Sequence, residues 1–374
     1  MTTPASVPAP IRVALIGCGD ISTAHIASYR VAGLELVAVC DRDEALARRK
    51  VIAFGHPQVP VYQDAARLLE RGDIDLVTIA VPVSGHAPLT IQALRAGVHV
   101  ACEKPSALSL AENVAILEAS RRCGKHVVFF SSRNRYGMST LAERHCRNGD
   151  LGEIYRVDVH LARRRGRPGL DIIPHATWFL DHARAGGGVI MDMGQYYMDQ
   201  VFHLTGWPAI STVSASHFRG FAHALEAATV FDVEEQSTIF ARSENGCTFT
   251  FDLSWIGHQK PRNEVVIRGT RGGLRLDGES KDQPFAFYQE HTPWQWLTTG
   301  SDWRDQLSGN DHVYLDLVRA IRGENGAVGT TPSQAIAITR FTQLAQASAA
   351  AGREVRASEI PVPRPGLAAA TAND

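Results

Sequence analysis

Three short groups of residues in this chain have types and spacings suited to chemistry. The first is Gly17-Cys-Gly19-Asp20-Ile21-Ser22, which follows the apolar run Ile11–Ile16 and precedes a helical stretch over His25–Ala32. Glycines at the first and third places let the chain turn tightly and approach a pyrophosphate. The helix N-terminus then supplies N–H groups and a partial positive charge. Ser22 stands where such a turn prefers a third Gly or Ala, and it is small enough for close helix packing. Asp41 ends the next apolar run, where a carboxylate accepts hydrogen bonds from a ribose 2′-hydroxyl. Asp41 also repels a 2′-phosphate, which favours NAD. Arg42 beside it is suited to stack on adenine or to pair with that phosphate, so NADP stays open.

The second group is Glu103-Lys104-Pro105, at the end of a later apolar run. Ligands of a doubly wound sheet bind beyond the carboxyl ends of its strands, so Lys104 is expected at a cofactor's working end. Most lysines are exposed loop residues, but this chain holds only five, which sets Lys104 apart.

The third group lies on one stretch, Val189–Leu204. Asp192, Tyr196, Asp199 and His203 recur at i, i+4, i+7 and i+11 and share a helix face, with Ile190, Met193, Tyr197, Val201 and Leu204 largely opposite. A titratable stripe on so apolar a helix predicts a cleft wall, against the commoner solvated face. Tyr196, ordinarily with a pKa of ~10, is expected to be lowered by Lys104 and to exchange a proton with a substrate hydroxyl. Lys104 would stabilise charge developing on that oxygen, and Asp192 would orient Lys104 or hold a substrate hydroxyl. Asp199, His175 and Trp178 are further substrate candidates, Trp178 through stacking on a sugar ring. The run Arg163-Arg-Arg165-Gly-Arg167 either meets a carboxylated or phosphorylated substrate or pairs with acidic neighbours. No histidine falls at a metal-ligand spacing, so no metal is expected.

These groups need elements to position them. From residue 11 to 132 short Val/Ile-rich runs alternate with helical stretches, several of which end in Gly. This is the pattern of an α/β, doubly wound parallel sheet. From 133 to 360 alternating strands, turn signals such as Asn245-Gly246 and two closing helices predict a mostly antiparallel open sheet with helices on one side. Residues 1–10 and 361–374 read as loose tails.

Composition narrows the function. The 374 residues carry 38 basic and 39 acidic side chains, a balance that makes nucleic acid an unsuited partner. No apolar run reaches the ~20 residues of a membrane span. The N-terminus lacks the basic and apolar segments of a signal peptide. Six scattered cysteines without a C-x-x-C pair fit a reducing cytoplasm.

Taken together, the Gly17 turn, Asp41, Ala80-Val-Pro82 with His86, and Glu103-Lys104-Pro105 resemble the Gfo/Idh/MocA oxidoreductase family. So do Gly186-Gly-Gly188 followed by Asp192-Met-Gly194, Asn245-Gly246 and the Gly269–Gly273 turn. The resemblance implies a Rossmann domain and an α+β domain whose open sheet forms a homodimer or homotetramer. It also implies that Pro82, His86 and Glu103 lie at the cofactor and that the Lys104–Pro105 bond is cis. Many relatives carry His four residues after the Asp. Tyr196 there is more similar to the glucose–fructose oxidoreductase and dihydrodiol dehydrogenase branches, and an imidazole base is not implied. The expected activity is NAD(P)-linked interconversion of hydroxyl and carbonyl on a small sugar, cyclitol or sugar-derived substrate. An NAD-dependent glycosidase and a non-enzymatic nucleotide sensor are the alternatives.

Overall fold

The computed structural model describes residues 9–223, 225, 229–280, 284–289, 307–324 and 329–364; most of the two expected tails, 1–8 and 365–374, lies outside these. Six parallel strands form the first sheet: β1 (Ile11–Ile16), β2 (Leu34–Cys40), β3 (Val61–Tyr62), β4 (Leu76–Ile79), β5 (His99–Cys102) and β6 (Val127–Phe129). Their spatial order is β3-β2-β1-β4-β5-β6. Both faces are covered. Val13 and Leu15 of β1 join one apolar cluster, and Ala14 and Ile16 join the other. Such strands read as nearly continuous apolar runs because most of their residues are buried on one face or the other, Arg12 and Glu35 near the strand starts being the polar breaks in β1 and β2. The order reverses between β1 and β4, and the crevice that opens at their carboxyl ends is where this architecture holds ligands.

The second sheet has eight strands: β7 (Ile154–Ala162), β8 (Ile210–Phe218), β9 (Gln236–Ser243), β10 (Thr248–Ser254), β11 (Arg262–Gly269), β12 (Gly272–Asp277), β13 (Phe285–Gln289) and β14 (Val355–Arg356). Their order is β13-β12-β11-β7-β10-β9-β8-β14, antiparallel except for the pair β7–β10. Val157, Val159 and Leu161 of β7 point into a core shared with Val201, Phe202 and Phe341 of the covering helices. Among the described residues no helix is long and apolar enough to cross a membrane.

The chain then returns to where it began. The helix Gly309–Ile321 is set by the Ser308/Asp311 capping box and buries Val313, Tyr314, Leu317 and Val318 in the same cluster as β1. Tyr314 meets Thr78 of β4 at 2.8 Å and His25 Nδ1 at 2.9 Å. Helix Pro332–Ala351 bridges both halves: Thr339 accepts from Asn113, and Ser348 accepts from the Ala215 N–H of β8. The first sheet's core therefore includes residues beyond position 300, although the sequence pattern assigns them to the second unit.

Removing the Tyr314 hydroxyl leaves buried partners on β4 and on the first helix unsatisfied. Tyr314→Phe is expected to lower the unfolding free energy by about 1–3 kcal/mol, seen as a lower urea midpoint with unchanged far-UV dichroism.

Candidate active site

The Gly17 turn is built for close approach. Gly17 has φ +97°, and a Cβ there would fall 2.2 Å from the Ala80 carbonyl oxygen of the neighbouring strand end. At Gly19 a Cβ would meet nothing within 4 Å. The Cys18 N–H is taken by Asp41 Oδ2 at 2.7 Å, and Asp41 Oδ1 accepts the Asp43 N–H at 2.9 Å. Among the described residues no acceptor pairs with the N–H groups of Gly19, Asp20 and Ile21, which lead into the helix Ser22–Ala32. Ser22 is fully buried and its hydroxyl donates to the Gly19 carbonyl, so it serves the packing role expected of it. Open N–H groups at a helix N-terminus and an anchored carboxylate on the next strand fit a dinucleotide.

Lys104 follows β5, in a cis peptide with Pro105. Its Nζ donates to Asp192 Oδ1 at 2.9 Å and to the Asp192 carbonyl at 2.7 Å. Trp255 Nε1 holds the other carboxylate oxygen at 2.9 Å. The ammonium also lies 4.7 Å from the Tyr196 ring centroid. Lys104, Asp192 and Tyr196 thus meet although 92 positions separate the first from the last. Burial works against the Lys104 charge, but the Asp192 carboxylate holds its pKa above the ordinary lysine range. Burial would likewise raise Asp192, which Lys104, Arg163 and Trp255 hold below the usual carboxylate range. For Tyr196 burial wins over Lys104 and Arg133 and pushes the phenol up to about 12. This reverses the expected lowering: a ring only 3% exposed loses more from desolvation than two nearby cations return.

Asp192 does not sit on a regular α-helix. Ile190–Gly194 form a π turn that passes into the α-helix Gln195–Leu204, a local widening frequent at functional sites. The glycines before it explain themselves in space. A Cβ on Gly188 would lie 1.8 Å from the Glu234 carbonyl oxygen. The Glu234 carboxylate in turn accepts from Gly188 N at 2.8 Å and Ile190 N at 3.0 Å. Glu234 therefore caps the element that carries Asp192 and Tyr196.

Glu103 is buried beside Lys104. Its Oε2 accepts the Lys104 N–H at 3.0 Å, and its Oε1 lies 3.1 Å from His25 Nε2, off the line of a good hydrogen bond. Burial would raise this carboxyl, but His25, Lys104 and Arg133 hold it at about 2. His25 continues to Tyr314, so the cofactor-turn helix, the lysine loop and the returning helix share one buried polar chain.

Other expected residues lie elsewhere. His86 is 1% exposed, with its ring nitrogens at the Pro105 and Val81 carbonyls; it braces the Lys104–Pro105 loop and presents no surface to a cofactor. Pro82 begins the short turn between Val81 and His86. Asp199 is fully buried and bidentate to Arg135, with Thr330 donating as well, so it has no face for substrate. His203 pairs with Glu143. His175 is exposed and meets Asp20 of the cofactor turn at 2.8 Å. Trp178 stacks on Phe179, and Arg42 is exposed beside Asp41. Sequence reasoning missed Arg133, Glu234, Trp255 and the His25–Glu103 pair. Arg133 follows the end of β6, so the same strand-end rule that singled out Lys104 would have found it. A cleft of about 420 Å³ is lined by Arg163, Met193, Tyr197 and Asn263. A larger hollow of about 660 Å³ lies on the open face of the second sheet and includes none of the Lys104 group.

Comparison with known proteins agrees with this geometry. Residues 11–130 match the oxidoreductase family with an NAD-binding Rossmann fold, and residues 140–275 match the GFO/IDH/MocA C-terminal domain. The chain belongs to the Gfo/Idh/MocA family of NAD-binding oxidoreductases. It is 33% identical over 213 residues to D-glucoside 3-dehydrogenase of Escherichia coli, a match spanning 56% of this chain and 58% of that one. It is 28% identical over 271 residues to D-apiose dehydrogenase of Paraburkholderia graminis, covering 71% and 67% respectively. The fold is similar to that of the WlbA dehydrogenase from Chromobacterium violaceum, crystallised with NADH and UDP-GlcNAcA. That match has a TM-score of 0.79 at 22% identity and covers 97% of this chain and 100% of that one.

Glu234→Ala uncaps the Asp192 element. It is expected to cost about 1–3 kcal/mol in chemical denaturation, and an unchanged midpoint would show that Glu234 carries no such role.

Proposed function

We propose that this chain catalyses NAD-dependent interconversion of a hydroxyl and a carbonyl on a sugar, cyclitol or sugar-derived substrate. The observation that carries the reading is the Lys104–Asp192–Tyr196 cluster beyond β5, in a chain whose β1 turn fits a dinucleotide. The likeness to D-glucoside 3-dehydrogenase and D-apiose dehydrogenase supports a sugar as the substrate class. Bound NAD supplies the hydride acceptor, and NADH the donor.

The protein's own part is proton handling and orientation. A lysine ammonium has three donors, and Asp192 takes two of them through Oδ1 and its carbonyl. One donor remains for the reacting oxygen, where it stabilises the charge that develops as hydride leaves. Trp255 fixes the Asp192 carboxylate and thereby the direction of that third donor. Tyr196 stands under the ammonium as the second proton carrier. With the phenol at about 12 and Lys104 above its ordinary range, both groups hold their protons at neutral pH. The resting site is therefore set to donate a proton to a carbonyl oxygen. Oxidation requires one of the two groups to be deprotonated first.

Six free cysteines, three of them in the first sheet or its turn, suit a reducing cytoplasm. The charged open face of the second sheet, with Tyr155 and Tyr288 exposed, is the surface we assign to a homo-oligomer.

The direct test follows nicotinamide absorbance with NAD and NADP separately, over aldoses, inositols and anhydrosugars. Reduction by one substrate class is the expected result. A flat trace with cofactor that co-purifies would point instead to internal-redox glycoside cleavage. Lys104→Met is expected to lower kcat by roughly 10²–10⁴-fold, and near-normal turnover would remove Lys104 from the mechanism. In the oxidative direction kcat/KM should climb with pH from 7 toward 10, because the base form lies above neutrality, while carbonyl reduction stays level over that range because both groups remain protonated. A plateau already reached at pH 6–7 would identify a different base.

A further inference from the structure

Arg133 lies in the turn Phe130–Arg135 that follows β6, and its guanidinium sits 4.0 Å from the Tyr196 ring centroid. Lys104 approaches the same ring at 4.7 Å. The two cations differ in one respect: Lys104 is neutralised by Asp192, whereas no carboxylate or carbonyl accepts from Arg133 among the described residues. The nearby acids are already engaged. Asp192 serves Lys104 and Trp255, and Glu103 serves His25 and the Lys104 N–H. Arg135, two residues along, shows the contrast, since Asp199 grips it in two places.

Arg163 repeats the pattern on the cleft wall. Within its run, Arg165 and Arg167 are paired with Asp171, and Arg167 also with Glu235. Among the described residues Arg163 donates to the Gly166 carbonyl and the Met193 sulfur and to no carboxylate. Both guanidinium groups act on Tyr197: burial pushes its phenol up, Arg163 and Arg133 pull it back, and Glu279 on the same cleft wall opposes them. A guanidinium stacked on an aromatic face keeps its planar fork of donors oriented, the geometry that recognises carboxylate and phosphate. Arg133 is held in this way over Tyr196, and neither it nor Arg163 is in hydrogen-bond contact with a carboxylate among the described residues; with Arg164, Arg165 and Arg262 against the single carboxylate of Glu279, the cleft wall on the Arg163 side carries an excess of positive charge.

We propose that the substrate carries an anionic group, a carboxylate or a phosphate, which pairs with Arg133 and lies on the Arg163 side of the reacting carbon. This rests on the dehydrogenase reading above and narrows it from sugars to sugar acids or sugar phosphates.

The test compares matched pairs in the NAD-linked assay: D-glucuronate against D-glucose, D-galacturonate against D-galactose, and glucose 6-phosphate as the phosphate arm. Binding of the same probes to the enzyme–NADH complex is measured by calorimetry. The charged member is expected to exceed its neutral partner in kcat/KM by roughly 10- to 150-fold, the worth of a charge-assisted hydrogen bond. Arg133→Met should remove that advantage and Arg133→Lys should restore part of it. Because the readout is a ratio within one preparation, a partly folded variant does not distort it. A gain confined to the uronates assigns a carboxylate, and one confined to the phosphate ester assigns a phosphate. Equal kcat/KM for charged and neutral partners, or an Arg133→Met variant that lowers both alike, overturns the anion site and leaves the dehydrogenase intact. Anions that bind the NADH complex but are never turned over, with neutral sugars also inert, sink the dehydrogenase reading and keep the anion site. No binding by any charged probe overturns the anion site.

Discussion

The buried ion pair between Lys104 and Asp192 is the contact on which the rest of the site depends. Each charge costs several kcal/mol to bring out of water, and the pair holds only if every remaining donor and acceptor is placed. The structure meets that demand from both sides. Trp255 takes the second oxygen of Asp192, the Asp192 carbonyl takes a second proton of Lys104, and Glu103 receives the Lys104 N–H. The partners come from different halves of the chain, the lysine from the end of a first-sheet strand and the carboxylate from a helix packed on the second sheet. The pair therefore exists only when both sheets are formed and docked, and its charge state reports on that docking.

Behind it stands a layer of buried and half-buried polar residues. His86 ties the Pro105 carbonyl to Val81, Glu234 caps the π turn through Gly188, and His25 links Glu103 to Tyr314 and Thr78. Buried polar networks of this kind carry a high penalty when half satisfied, so they favour one arrangement over near alternatives. A lysine with one free donor needs such a frame, because its stem has many rotamers and the reacting oxygen accepts only one direction.

How much of this was legible varied with the physics of each element. The first sheet was readable because strands covered on both faces leave continuous apolar runs, and the Gly17 turn because its glycines answer to backbone sterics. The helix Glu44–Ala53 gave little signal, since only Ala47 and Val51 are buried along it. The stripe over Asp192, Tyr196, Asp199 and His203 was real as a periodicity. It joined unlike things, because Asp199 meets Arg135 and His203 meets Glu143, partners at least 60 positions away that no local pattern reveals. The π turn is invisible in periodicity, and the rise in Tyr196 follows from how deeply the ring is buried, a property of packing. The Gly-Gly-Gly motif was recognisable as a pattern, but its reason became visible only in the approach of Gly188 to Glu234.

The return of helix Gly309–Ile321 to the first sheet also orders events at the ribosome. The strands of the cofactor half are complete once residue 129 has been made, yet the patch that receives Val313, Tyr314 and Leu317 stays uncovered until residues near 321 emerge. At roughly 5–20 residues per second that interval lasts on the order of 10–40 s. Throughout it, His25 and Thr78 wait without their tyrosine, and an apolar face of the nascent chain is open to whatever is nearby. The cofactor half of this protein is thus synthesised ahead of the second sheet, yet completed only after most of that sheet has been made.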